Sequence, residues 1–164
     1  MILEQATSKT AKKVHPSILV MWGDKFQEWI ATNVVIQLRR KGIRVKIIGL
    51  QGRTARGVNG LTIEADLPLG QAQELIGSPI GDVTHIVFPC NTDELKRLEY
   101  DPRLREFLAS VAKQGVQLVL GEDCAKYYSL ELLRDFGDNI AFCPNDDEIN
   151  HFVESLAASL PYAN

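Results

Sequence analysis

The sequence has few of the residues that organise small secreted or metal-bound proteins. Of 164 residues only three are cysteine, at positions 90, 124 and 143, and no two are spaced as a CxxC pair. An odd count without zinc-type pairing argues against a disulfide framework and for free thiols in a reduced, cytoplasmic setting. Three thiols also fall one short of the usual zinc set. The three histidines do not complete it: His15 lies in the N-terminal segment, His85 inside an apolar run and His151 in a helical pattern. The expectation is no metal and no cofactor. Long apolar runs are missing too. No stretch approaches the roughly 18 residues that would cross a bilayer, so no membrane association is expected. The start, "MILEQATSKTAKKVHPS", lacks the apolar core of a secretory leader. A chain of this length fills one core but not two. Residues 1–14 read as a mobile arm and 15–164 as a single domain.

Nucleotide signatures are equally scarce. The segment after the first apolar run, "WGDKFQEW", contains neither GxGxxG nor a Ser or Thr that would bind a flavin phosphate. The glycines at 52, 57 and 60 lack the GK[ST] ending of a phosphate loop. A phospho-acceptor receiver needs an aspartate after its third strand and a lysine after its fifth, where this chain has Pro89-Cys90-Asn91 and Cys143-Pro144. With a pI near 5.6 and no recognition motif, nucleic-acid binding is not supported. The net charge of −3 hides an asymmetry: residues 1–60 carry 11 Lys/Arg against 3 Asp/Glu, and residues 121–164 carry 2 against 9. The basic group Arg39, Arg40, Lys41, Arg44, Lys46, Arg53 and Arg56 suits either a solvated helix end and loop or the acidic half of a second copy.

What is present is a regular alternation. "SILVMW" (17–22), "RVKIIGL" (44–50), "VTHIVFP" (83–89), "VQLVL" (116–120) and "NIAFC" (139–143) read as buried strands. "QEWIATNVVIQLRRKG" puts Ile30, Val34, Val35 and Leu38 on one helical face and stops at Gly42. "DPRLREFLASVAKQG" opens on Pro102, turns Leu104, Phe107, Leu108 and Val111 inward and stops at Gly115. Further helices fit "LGQAQELIG", "AKYYSLELLRDFG" and "DEINHFVESLAASL". Asn59-Gly60, between short alternating runs, reads as a β-hairpin. The fold class is therefore α/β: a flavodoxin-like three-layer sandwich, its mostly parallel sheet covered by helices on both faces, with a small hairpin excursion.

Open parallel sheets bind ligands beyond the carboxyl ends of their strands. Cys90, Cys124 and Cys143 each follow or end a strand, so all three belong on that edge, together with Asp24 and Glu28 after the first strand. A thiol at a helix N-terminus is a candidate nucleophile, because the dipole stabilises the thiolate. Each cysteine also has a plain structural reading as a small buried hydrophobe.

The pieces "LRRKGIRVKIIGLQG", "GVNGLTIEADLPL", "VTHIVFP" and "DPRLREFLASVAKQGVQLVL", in this order and spacing, resemble the ThiJ/PfpI superfamily, which is related to class I glutamine amidotransferases. The resemblance covers about residues 16–135. It implies a cysteine on a nucleophile elbow, a glutamate after the first strand that hydrogen-bonds it, and a Pro-Gly-Gly turn whose N–H groups receive an oxyanion. Glu28 is the candidate glutamate. Pro89 matches the turn, while the glycines become Cys90 and Asn91. Counting without gaps from Gly115 puts the nucleophile position at Gly121, three residues before Cys124, and Gly121 would tolerate a strained elbow. The family histidine falls nearest Cys143. Two functions follow from the resemblance. One is a non-catalytic or altered-site, dimeric protein binding a small ligand or partner at the strand ends. The other is a cysteine-dependent hydrolase, deglycase or glyoxalase-like enzyme, with Cys124 as nucleophile, Glu28 tuning it, and amides near Cys90, Asn91 or Ala125 stabilising the oxyanion.

Overall fold

Seven consecutive buried residues make β1 (Pro16–Trp22) a strand covered on both faces, as its unbroken apolar run requires. The computed structural model describes residues 16–75, 82–127 and 131–161; the expected N-terminal arm lies outside them. β1 pairs in parallel with β2 (Arg44–Gly49) on one side and β6 (Asp82–Phe88) on the other. Parallel pairing continues through β7 (Gln117–Gly121) to β8 (Ile140–Cys143), and a two-residue strand β5 (Leu67–Pro68) adds to the far side of β2. The order β5-β2-β1-β6-β7-β8 reverses direction at β1, so the crevice between the ends of β1 and β6 is the expected ligand position. β3 (Thr54–Arg56) and β4 (Thr62–Glu64) form the separate antiparallel hairpin that Asn59-Gly60 signals, with Gly60 at φ +91°.

α1 (Glu28–Arg40) buries Ile30, Ala31, Val34, Val35 and Leu38, and ends where Gly42 adopts φ +77°. α2 (Leu69–Leu75) follows β5. α4 (Pro102–Ala112) is opened by Asp101, whose carboxylate accepts the Arg103 and Leu104 N–H groups at 3.0 and 3.4 Å. Such a cap contributes about 1 kcal/mol. α5 (Ile149–Ser159) packs against α1.

Two segments differ from the sequence expectation. Among the described residues, which leave out 128–130, the segment "AKYYSLELLRDFG", expected as a helix, holds parts of two short 3-10 turns, Glu122–Tyr127 and Glu131–Phe136. The first begins directly at the end of β7 and so starts before the apolar spacing that suggested a helix. A short helix, α3 (Thr92–Leu98), went unrecognised. Its signal is the Asn91 cap, whose side chain accepts the Glu94 N–H at 2.9 Å.

Candidate functional site

The switch-point crevice is occupied by the chain itself. The Gln27 N–H donates to the Pro89 carbonyl at 2.7 Å, which ties the loop after β1 to the loop after β6. The Gln27 side chain lies across the gap to β7: its Nε2 donates to Asp123 at 3.3 Å, while its Oε1 is buried and has no hydrogen-bond partner. Nothing in the local pattern distinguishes Gln27, because its partners come from loops some sixty and a hundred residues away.

Gly121 ends β7 opposite Cys143 of β8, and the first 3-10 turn starts at the next residue. It therefore occupies the strand-to-helix junction, as the count from Gly115 expects. The strain expected there is absent. The positive φ angles among the described residues belong to Lys25 and to glycines 42, 52, 60, 115 and 137, so Gly121 is in ordinary backbone. A side chain built on Gly121 would meet Gln27 Oε1 at 3.3 Å, the Cys90 carbonyl at 3.4 Å and Ile30 Cδ1 at 3.4 Å. The side-chain groups facing this junction are thus an isoleucine methyl of α1 and the amide oxygen of Gln27 just before it.

The three cysteines do share the carboxyl edge of the sheet, and all three are fully buried. Cys124 sits in the 3-10 turn with its Sγ donating to the Cys90 carbonyl at 3.4 Å. The neighbouring Cys90 thiol holds Cys124 below the ordinary thiol range, with help from the Thr92 hydroxyl and against burial and the Asp123 carboxylate. Cys124 in turn pushes Cys90 well above that range, together with burial. The pair loses its first proton from Cys124. Cys143 stands apart, bonded to the Pro144 carbonyl at 3.5 Å, and burial followed by the nearby Glu122 pushes its thiol to about 12. His85 is buried in β6 beside Thr84, and burial lowers its pKa.

Glu28 is directed elsewhere. Its Oε1 accepts the N–H groups of Asn59 at 2.9 Å and Leu61 at 2.8 Å, in the tip of the β3–β4 hairpin. Asp24 acts in the same way, accepting the Arg56 N–H at 3.0 Å. With Val58 N–H donating to the Phe26 carbonyl and the Trp22 indole donating to the Ala55 carbonyl, these bonds fasten the hairpin over the end of β1. Glu28, the residue expected to tune a thiol, and Asp24 both bond to the hairpin, because unpaired N–H groups in a turn need acceptors and these carboxylates stand beside them. Asn91 is likewise engaged as the α3 cap, and Ala125 is exposed on the outside of the 3-10 turn.

An open cleft of about 400 Å³ remains between the start of α1, the hairpin tip and the loop after β8, lined by Gln27, Glu28, Trp29, Asn59, Asp146 and Asp147 among others. Among the described residues, no group of three or more His, Cys, Asp or Glu is placed to hold a metal ion. No helix among them is long and apolar enough to cross a membrane.

No family model matches the sequence, and no curated protein matches it. Solved structures do match in shape. An oxidized DJ-1 from Toxoplasma gondii aligns over 85% of this chain and 88% of its own, with a TM-score of 0.68 and 16% identity. Drosophila melanogaster DJ-1beta aligns over 90% and 91%, with a TM-score of 0.68 and 15% identity. A ThiJ/PfpI domain protein from Brachyspira murdochii aligns over 91% and 99%, with a TM-score of 0.65 and 14% identity. The fold is the DJ-1/ThiJ/PfpI fold. The likeness covers 88% or more of each of these three chains. Within that DJ-1/ThiJ/PfpI-like frame, Gly121 stands at the β7 junction, and the side chains facing it are Ile30 and Gln27.

Proposed function

We propose that this chain is a divergent ThiJ/PfpI-like protein whose strand-end site has been altered, and that it binds a small ligand or partner there without thiol catalysis. The observation that carries this reading is the junction at Gly121. The resemblance calls for a nucleophile and a facing carboxylate at that place. The junction has no side chain, and its neighbours are an isoleucine methyl and an amide oxygen. The Glu28 carboxylate, which would tune a displaced nucleophile, is hydrogen-bonded to hairpin amides instead. No nucleophile stands at the junction itself, and the carboxylate expected to tune one bonds to the hairpin. The cleft beside Glu28, with acidic walls and the half-exposed Trp29 at its rim, offers room for a small polar ligand. A second copy is the favoured partner. Ile36, Val58 and Leu61 are exposed on α1 and the hairpin, and the charge asymmetry along the chain suits self-association. Light scattering at several salt concentrations tests the dimer. The cytoplasmic setting in this reading rests on three free cysteines.

A second reading, a cysteine-dependent hydrolase, deglycase or glyoxalase-like enzyme, is favoured by one feature: Cys124 lies below the ordinary thiol range. The deciding experiment is alkylation by iodoacetamide across pH 6 to 7, followed residue by residue. A Cys124 that reacts no faster than a free model thiol supports the altered site. A markedly faster reaction that persists in the Gly121→Ala variant would favour the enzyme.

A further inference from the structure

The thiol pair described above lies outside the lining of the cleft, yet its placement is specific. We propose that Cys90 and Cys124 form a dithiol modification site, which a peroxide converts into an intramolecular disulfide joining the ends of β6 and β7. The two strands are direct neighbours, with Phe88 paired to Leu120. Adjacent strands lie about 4.8 Å apart, and a disulfide needs Cα atoms about 4.4–6.8 Å apart. Cys90 lies two residues past Phe88. The first 3-10 turn brings Cys124 back toward it, with its Sγ 3.4 Å from the Cys90 carbonyl. Cys143 lies on the next strand and bonds to Pro144, which leaves it outside the pair. Access to the buried sulfurs requires only local opening of a six-residue 3-10 turn, whose hydrogen bonds are weaker than those of an α-helix.

The difference in acidity assigns the roles. Cys124, the more acidic thiol, attacks one peroxide oxygen; the O–O bond breaks, and the departing hydroxide takes a proton to become water. The Cys124 sulfenic acid is left beside the protonated Cys90 thiol. Cys90 sulfur then attacks Cys124 sulfur, forming the S–S bond and breaking the S–O bond, and the hydroxide released takes the Cys90 proton to leave as a second water. Two thiols are oxidised and one peroxide is reduced. Asp123 and Glu94 are the carboxylates that act on the pair: Glu94 raises Cys90, and Asp123 raises Cys124 against the larger lowering effect of Cys90.

The test uses the full chain, reduced, freed of reductant and treated with hydrogen peroxide. Remaining thiols are alkylated under denaturing conditions, and the peptides are mapped without reductant. The expected result is a linked peptide pair carrying Cys90 and Cys124, label on Cys143 alone, and recovery of all three thiols with dithiothreitol. The Cys90→Ser variant should accumulate several-fold more dimedone-trapped sulfenic acid at Cys124 than the unaltered protein. Mapping of the unaltered protein decides the matter even if that variant does not fold. A Cys124 sulfinic acid beside an alkylated Cys90, a bridge to Cys143 or to a second chain, or three unmodified thiols under conditions that oxidise a model thiol would each overturn the proposal.

Discussion

Replacement of Glu28 by alanine and by glutamine separates an anchoring carboxylate from a catalytic one. The Oε1 atom accepts two backbone N–H groups of the hairpin tip, at 2.9 and 2.8 Å, from Asn59 and Leu61. Hydrogen bonds to a charged group contribute about 1.5–3 kcal/mol each, and neutral ones about 0.5–1.5 kcal/mol. Alanine removes both acceptors and leaves two N–H groups in a partly buried turn, so Glu28→Ala should cost about 3–5 kcal/mol. Glutamine keeps an acceptor oxygen in the same place and loses only the charge assistance of two bonds, so Glu28→Gln should cost about 2–3 kcal/mol. Urea unfolding with an unchanged m-value measures both. The same two proteins should show the same Cys124 alkylation rate. A Glu28→Ala cost below about 1 kcal/mol would refute the anchoring argument. So would a Glu28→Gln variant of near-normal stability in which Cys124 alkylation falls by an order of magnitude, since only a carboxylate acting on the thiol produces that.

Three further outcomes follow from the same geometry. A Cβ on Gly57 would lie 2.3 Å from Glu28 Cγ and Oε1, so Gly57→Ala must displace the anchor and should destabilise by about 2–4 kcal/mol, read as a fall in urea midpoint. With its thiol pushed to about 12, Cys143 should remain unalkylated in the native protein at pH 8 while reacting fully in urea, and native labelling there would contradict its burial. His85 is held below its ordinary 6.5 by burial. The unfolded chain therefore binds the extra proton first, and the contribution of His85 to stability is complete above about pH 6.5 and declines as the pH falls below it. Unfolding curves between pH 7 and 5 should show a smaller decline in His85→Gln than in the unaltered protein. Equal declines would assign the effect to other groups.

Local chemistry made much of the frame legible. The continuous apolar run of β1, the inward stripe and Gly42 stop of α1, the Asp101-Pro102 start and Gly115 stop of α4, and the Asn59-Gly60 turn each depend on residues within a few positions of one another. The same alternation of strands placed all three cysteines on one edge of the sheet. The 3-10 turns after β7 were not legible, because a six-residue turn and the opening of a helix share the same apolar spacing. α3 is illegible for a related reason: its signal is a single asparagine cap, and the sequence pattern places Asn91 equally well in the pocket.

The division between sequence and tertiary structure is sharpest at Glu28, Gln27 and the cysteines. The sequence by itself determined that a carboxylate follows β1 and that a glycine stands where a strand ends. It could not determine what these groups face. Glu28 finds its partners 31 and 33 residues away in the hairpin tip, and Gln27 reaches Asp123 96 residues away. Cys124 meets the Cys90 carbonyl 34 residues away. A hydrogen bond is satisfied within about 3 Å, and only the assembled sheet and its hairpin decide which donors come that close. Periodicity fixes which face of an element is buried, whereas the choice of partner for each polar group belongs to the packed chain.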